Sequence, residues 1–337
     1  MSKKRGCLVL KNKWIIGAML LAICLACSGC GGKAPEAKED QKLQVVTTIF
    51  PIYDWTREIL GENSGEAQLT LLLDKGVDLH SFQPTAQDIM KIATCDVFIY
   101  VGGESDRWAA DALKEAVNPK MQVLNLMEIL GEQLKEEEIA EGMQEEEHDR
   151  EEEHDHDDEE ETEYDEHIWL SLRNAEVCCE AIAEALGKAD AENADYYTER
   201  FQDYRQKLDE LDEKYAQMVD ASSNKTILVG DRFPFRYLTE DYGLTYYAAF
   251  TGCSAETEAS FQTVIFLAGK EDELELPAIC TLKGSDGSIA RTIRDATQAK
   301  DQKIVELDSM QSGPDEGATY LSIMEKNLGA LGEALGR

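Results

Sequence analysis

Positions 194 to 221 read ADYYTERFQDYRQKLDELDEKYAQMVDA, with neither Gly nor Pro. Apolar Tyr197, Phe201, Tyr204, Leu208, Leu211, Tyr215 and Met218 recur at spacings of three or four. That period describes one amphipathic helix of about seven turns. On either side the chain alternates short apolar runs with amphipathic segments. LQVVTTIF, AQLTLLL, DVFIYVGG and MQVLNL read as strands before it, and TILVG, LTYYAAF, AICTLKG and KIVEL after it. The segments between them, such as PIYDWTREIL with proline at its start, or SIARTIRDAT, carry helical periodicity. Strands alternating with helices predict parallel sheets wrapped by helices. The expected architecture is therefore α/β, two (β/α) lobes joined by a long rigid linking helix. The lobes are expected at 43–190 and 223–337, with the linking helix at 191–222.

The first 29 residues read as a lipoprotein signal peptide. Lys3, Lys4, Arg5, Lys11 and Lys13 precede WIIGAMLLAICLAC, an apolar stretch shorter than the roughly 20 residues of a membrane span. CSGCGG follows and resembles a lipobox, which makes Cys30 the candidate lipidation site and Cys27 the alternative. Residues 30–42 are then a polar anchor linker, and the rest of the chain lies outside the cell membrane. Removing the leader and the anchor from nine cysteines leaves Cys95, Cys178, Cys179, Cys253 and Cys280. An odd number in an oxidising compartment includes at least one free thiol. Cys253–Cys280 is the disulfide to test first, against the alternative that these are buried free thiols.

Charge narrows the function. The net charge is −35. Between Glu145 and Glu166, sixteen of 22 residues are acidic and only Arg150 is basic. Such a balance excludes nucleic acid as a partner and favours cations. Composition of this kind buries no core, so 132–166 is expected as an acidic loop inserted in the first lobe. Three of the five histidines, His148, His154 and His156, lie inside it as an accessory metal loop. The other two are His80 in VDLHSFQPT and His167 in YDEHIWL. Imidazole with carboxylate is a ligand set for divalent cations, zinc foremost.

Doubly wound sheets place ligands beyond the carboxyl ends of their strands. His80 follows the strand AQLTLLL, Asp231 and Arg232 follow TILVG, and Asp286 follows AICTLK, while His167 closes the acidic run. Each has a plainer reading. The histidines could be capping or packing groups, Asp286 a helix cap beside Ser285 and Ser288, and Asp231–Arg232 an ion pair.

Taken in order, VTTIFPIYDW, VDLHSFQPTAQDI, VFIYVGG, DEHIWLS, EDYGL and ATYLSIMEKN resemble the zinc- and manganese-binding lipoproteins of ABC importers, the cluster A-I solute-binding proteins, from about Leu43 to the C-terminus. The resemblance implies one metal between the two lobes and a membrane permease that receives it. It implies His80 and His167 as ligands of the first lobe and Asp286 as a late carboxylate ligand. At the third ligand slot stands Arg232, which cannot ligate because its guanidinium is always protonated. Asp231 is the nearest substitute, with Glu256 and Glu258 as alternatives. The His-rich loop is typical of zinc-type members.

The expected function is a lipid-anchored, monomeric solute-binding protein that captures Zn2+ and delivers it to an ABC permease. Mn2+ is the rival cargo, and a surface adhesin or metal buffer on the same fold is the rival class. A zinc hydrolase would need an open coordination position and a general base, and the chain has no H-E-x-x-H or G-x-S-x-G motif.

Overall fold

The computed structural model describes residues 42–62, 67–73, 78–144, 163–254, 258–311 and 313–337. Outside these lie the leader, Cys27, Cys30, the accessory His148, His154 and His156, and Glu256. Among the described residues no helix is long and apolar enough to cross a membrane.

The first half forms a four-stranded sheet from β1 (Leu43–Thr47), β2 (Ala67–Leu71), β3 (Val97–Tyr100) and β4 (Gln122–Asn125), in the order β2-β1-β3-β4. The second half forms a matching sheet from β5 (Thr226–Phe233), β6 (Thr245–Thr251), β7 (Ala278–Leu282) and β8 (Lys303–Leu307), in the order β6-β5-β7-β8. Every pairing is parallel. The strand-to-strand connections are therefore helical crossovers, α1 (Phe50–Leu60), α2 (Ala86–Thr94) and α3 (Trp108–Lys114) in the first half, with α4 (Leu126–Leu130) and α5 (Leu172–Ala189) following β4. After the long helix α6 (Ala194–Ala221) come α7 (Arg236–Asp241), α8 (Phe261–Leu274), α9 (Ser288–Ala296) and α10 (Tyr320–Ala334). The two-lobe α/β architecture with its linking helix is thus present. The central strands are apolar runs because both faces of a parallel sheet are covered; β7 is buried at all five residues.

Helix α6 buries Tyr197, Phe201, Tyr204, Leu208, Leu211, Tyr215 and Met218, the stripe its periodicity defines, and Val219 beside them. That stripe packs on α1 and α5 of the first half and on α10 of the second. Tyr215, fully buried, donates its hydroxyl hydrogen to the Met324 carbonyl at 2.6 Å, so its polar end is satisfied.

Two expectations change. Strand β5 runs on through Phe233, so Asp231 and Arg232 lie within it rather than after it. A register shift against β6 between Val229 and Arg232 leaves the intervening pair free of that ladder. Gly230 sits at the shift, where a Cβ would lie 2.6 Å from the Ala290 backbone of α9. The Cys253–Cys280 disulfide is not formed, and both are free thiols. Cys280 is sealed in the middle of β7, while Cys253 lies half-buried on a turn beyond β6.

The shared stripe is a test of the architecture. Leu208→Ala removes a buried side chain from it and lowers unfolding free energy by about 2–5 kcal/mol in denaturant titration. Gln202→Ala, on the exposed face of the same helix, changes it by less than about 0.5 kcal/mol. Equal effects would contradict the assignment of the buried face.

Candidate metal centre

His80 sits in a 3-10 turn, Leu79–Ser81, beyond β2. Asp78 builds the turn by accepting the His80 backbone N–H at 3.1 Å. His167 precedes a second 3-10 turn, Ile168–Leu170. One oxygen of Asp165 accepts both its backbone N–H, at 2.8 Å, and its ring Nδ1, at 2.9 Å. The Asp165 backbone N–H is held in turn by the Lys135 carbonyl at 2.9 Å. A carboxylate behind Nδ1 keeps the proton there and turns the Nε2 lone pair forward. His80 Nδ1 is likewise backed by Ser105 Oγ at 2.7 Å. The two rings meet edge to face with centroids 5.4 Å apart.

What lies between them is Gln311, which the sequence reading did not single out. Its Nε2 is 2.9 Å from His80 Nε2 and 2.9 Å from His167 Nε2. The Ser309 hydroxyl donates to its Oε1 at 2.9 Å, which orients the amide with its two N–H bonds toward the two imidazoles. Met310, at φ +57°, turns the chain beyond β8 so that Gln311 enters the cleft. The only signal in the sequence was position: Gln311 follows a strand's carboxyl end, as His80 does.

The second half closes on the same spot. Gly252 lies against His167, where a Cβ would be 2.8 Å from Cε1 and 3.0 Å from Nδ1. Cys253 follows, and its Sγ and one nitrogen of each imidazole lie within 4.8 Å of one another. Arg232 pairs with Asp78 at 3.2 Å and ties β5 to the His80 turn.

Among the described residues, Asp231, Asp286 and Glu258 are not grouped with the two histidines. Asp231 accepts from Thr281 Oγ1 at 3.1 Å, from the Leu282 backbone N–H at 3.3 Å and from the Arg232 backbone N–H at 2.9 Å. Its lone pairs are engaged within its own lobe. Asp286 is exposed and accepts the Ser288 backbone N–H at 2.8 Å in the turn leading into α9, whose N-cap is Gly287. Glu258 is exposed. The acids that do surround the rings are Asp165, Glu166 and Glu137. Burial raises the Glu166 and Glu137 carboxyls above their usual range, and Asp165 adds to the effect on Glu137. Burial also raises the Cys253 thiol, reinforced by Glu137, Glu166 and Asp165.

A scan against family models matches residues 45–334 to ZnuA, described as zinc-uptake complex component A, periplasmic. The chain belongs to the ZnuA family. It is 29% identical over 329 residues to the high-affinity zinc uptake system protein ZnuA of Bacillus subtilis, covering 96% of this chain and 98% of that one. It is 28% identical to the zinc-binding lipoprotein AdcA of Streptococcus pneumoniae over 94% of this chain, but spans only 60% of AdcA's length. Among solved structures, the Zn(II)-bound ZnuA-like domain of that AdcA matches with a TM-score of 0.68 at 25% identity, covering 88% of this chain and 100% of the domain. The lobes and linking helix are thus those of the ZnuA family.

Burial, the neighbouring His167 and Arg232 push His80 down to about 4, against the opposing pull of Asp78 and Asp165. In the unfolded chain the ring protonates near 6.5. Between those values the unfolded chain holds more protons, so the His80 contribution is complete above pH 6.5 and is lost as pH falls toward 4. The loss approaches about 3 kcal/mol at full titration. His80→Gln removes the difference, so the fall in unfolding midpoint from pH 6.5 to 4 becomes shallower. An unchanged slope would refute the assignment.

Proposed function

We propose that this chain captures Zn2+ on His80 and His167 in the cleft between its lobes and delivers it to the permease of an ABC importer. One observation carries the reading. Two imidazoles, each backed at Nδ1 by an oxygen, aim their Nε2 atoms at one amide nitrogen 2.9 Å from both. A cation at that junction replaces two hydrogen bonds with two metal–nitrogen bonds once the Gln311 amide turns aside. Two nitrogen donors favour zinc over manganese, which prefers oxygen and higher coordination. The named zinc function of the Bacillus ZnuA and of AdcA supports the same cargo.

The surroundings suit capture. His167 is fully buried and His80 is 16% exposed at its side chain, so His80 is the imidazole that meets incoming ions. The buried acids add negative potential in a low-dielectric setting, where it acts more strongly than in water. At longer range, a net charge of −35 draws cations to the surface. The chain acts as a solute-binding component rather than an enzyme, held at the outer face of the cell membrane by a lipid on Cys30. The family description, a periplasmic component of a zinc-uptake complex, supports that placement.

Calorimetric titration tests the ligands. His80→Ala and His167→Ala each weaken Zn2+ binding at least tenfold, or about 1.4 kcal/mol. Asp286→Ala leaves it within twofold. Full affinity in both histidine variants would refute the reading.

A further inference from the structure

Two imidazoles supply half of the four donors that a closed zinc centre takes. Neither Asp231 nor Asp286 completes it, and Arg232 has no lone pair to give. Among the described residues, the remaining metal-ligating side chain grouped with both rings is Cys253, all three ligand atoms lying within 4.8 Å of one another. In a tetrahedral centre a zinc-bound sulfur and nitrogen stand roughly 3.5 Å apart, given bonds of about 2.3 and 2.0–2.1 Å. The contraction needed is therefore a little over an ångström at most.

The local fold holds the thiol there. Gly252 has no room for a side chain against His167, so the turn beyond β6 is seated directly on that imidazole and delivers the next residue to the cleft. Cys253 is half-buried and free, whereas Cys95, Cys178, Cys179 and Cys280 are sealed in the core. A second feature points to a cation. Glu166 Oε2 is buried without a hydrogen-bond partner, 3.9 Å from His80 Nδ1. A buried carboxylate oxygen without a partner is costly unless positive charge arrives nearby.

We propose that Cys253 is the third zinc ligand, giving a His2Cys centre; this deepens the zinc-capture reading and rests on it. Zn2+ takes the two Nε2 lone pairs and the thiol gives up its proton to solvent as the Zn–S bond forms, since only the thiolate ligates. One proton leaves for each ion bound, and the centre's charge falls from +2 to +1. The fourth position is left to water or to the Gln311 carbonyl oxygen. A thiolate makes the site softer than a nitrogen–oxygen set and widens the margin for zinc over manganese.

The test uses the reduced, full-length protein with Zn2+ and with Co2+ as a spectroscopic probe. The Co2+ form is expected to show an intense near-ultraviolet sulfur-to-cobalt charge-transfer band. Cys253→Ser abolishes that band and weakens Zn2+ binding at least tenfold. Zn2+ also slows alkylation of Cys253 by iodoacetamide at least tenfold, followed on its peptide by mass spectrometry, a readout that needs no variant. If the unsubstituted protein binds Zn2+ tightly but shows no band and no protection of Cys253, the thiol assignment is overturned while zinc capture stands. If it binds no Zn2+ at all, both fall.

Discussion

One buried stripe on α6 packs against both halves of the molecule, and the cleft between the lobes depends on it. α1 and α5 from the first half and α10 from the second lie on the same face of that helix. Burying such a stripe fixes the halves through apolar contact, without direction. Direction comes from hydrogen bonds nearer the site. Trp169, two residues beyond His167, donates its indole N–H to the Ser309 carbonyl at 2.8 Å, two residues before Gln311. The Tyr320 hydroxyl donates to the Trp169 carbonyl at 2.7 Å, and the Tyr320 backbone N–H to Asp54 at 2.7 Å. All these groups are buried, where an unmade bond costs about 1–3 kcal/mol. They therefore set the separation between the His167 turn and the loop beyond β8, and with it the His167–Gln311 distance.

The architecture was legible in the sequence because its signals are local. Apolar runs of four to eight residues, separated by segments of helical period, can close only as parallel sheets with helical crossovers, and the stripe of α6 stands at the positions that its spacing gave. The histidines stood out for a similar reason: His80 stands in a short loop after an apolar run, and His167 where the acidic run gives way to IWL. The rest of the candidate site was not legible, because it depends on where strands end and which way loops turn. TILVG gives no sign that its strand continues through Arg232, and that continuation sets the Asp231 carboxylate on Thr281 and Leu282 of β7. Asp286 offered equal signals for a cap and a ligand; its carboxylate accepts the Ser288 N–H while Gly287 takes the N-cap position of α9. Gln311 and Cys253 reach the cleft through a left-handed Met310 and a glycine pressed on an imidazole, neither of which has a periodicity to read.

The arrangement separates the groups that face the junction from the acidic groups behind them. Facing the junction are two imidazoles, a thiol and an amide. Carboxyl groups stand one layer back, Asp165 behind His167 and Glu166 beside His80. Such a layer fixes the orientation of the rings it backs. It also lowers the electrostatic cost of a divalent ion in a buried place without itself having to move when the ion leaves. A carrier must release its cargo as well as hold it. In the proposed capture, release returns the imidazoles to partners already in place, because the Gln311 amide satisfies both Nε2 atoms by donation. The vacated junction therefore leaves no unpaired ring nitrogen, and the free energy of emptying the site is lower by the value of those two hydrogen bonds, roughly 1–3 kcal/mol together.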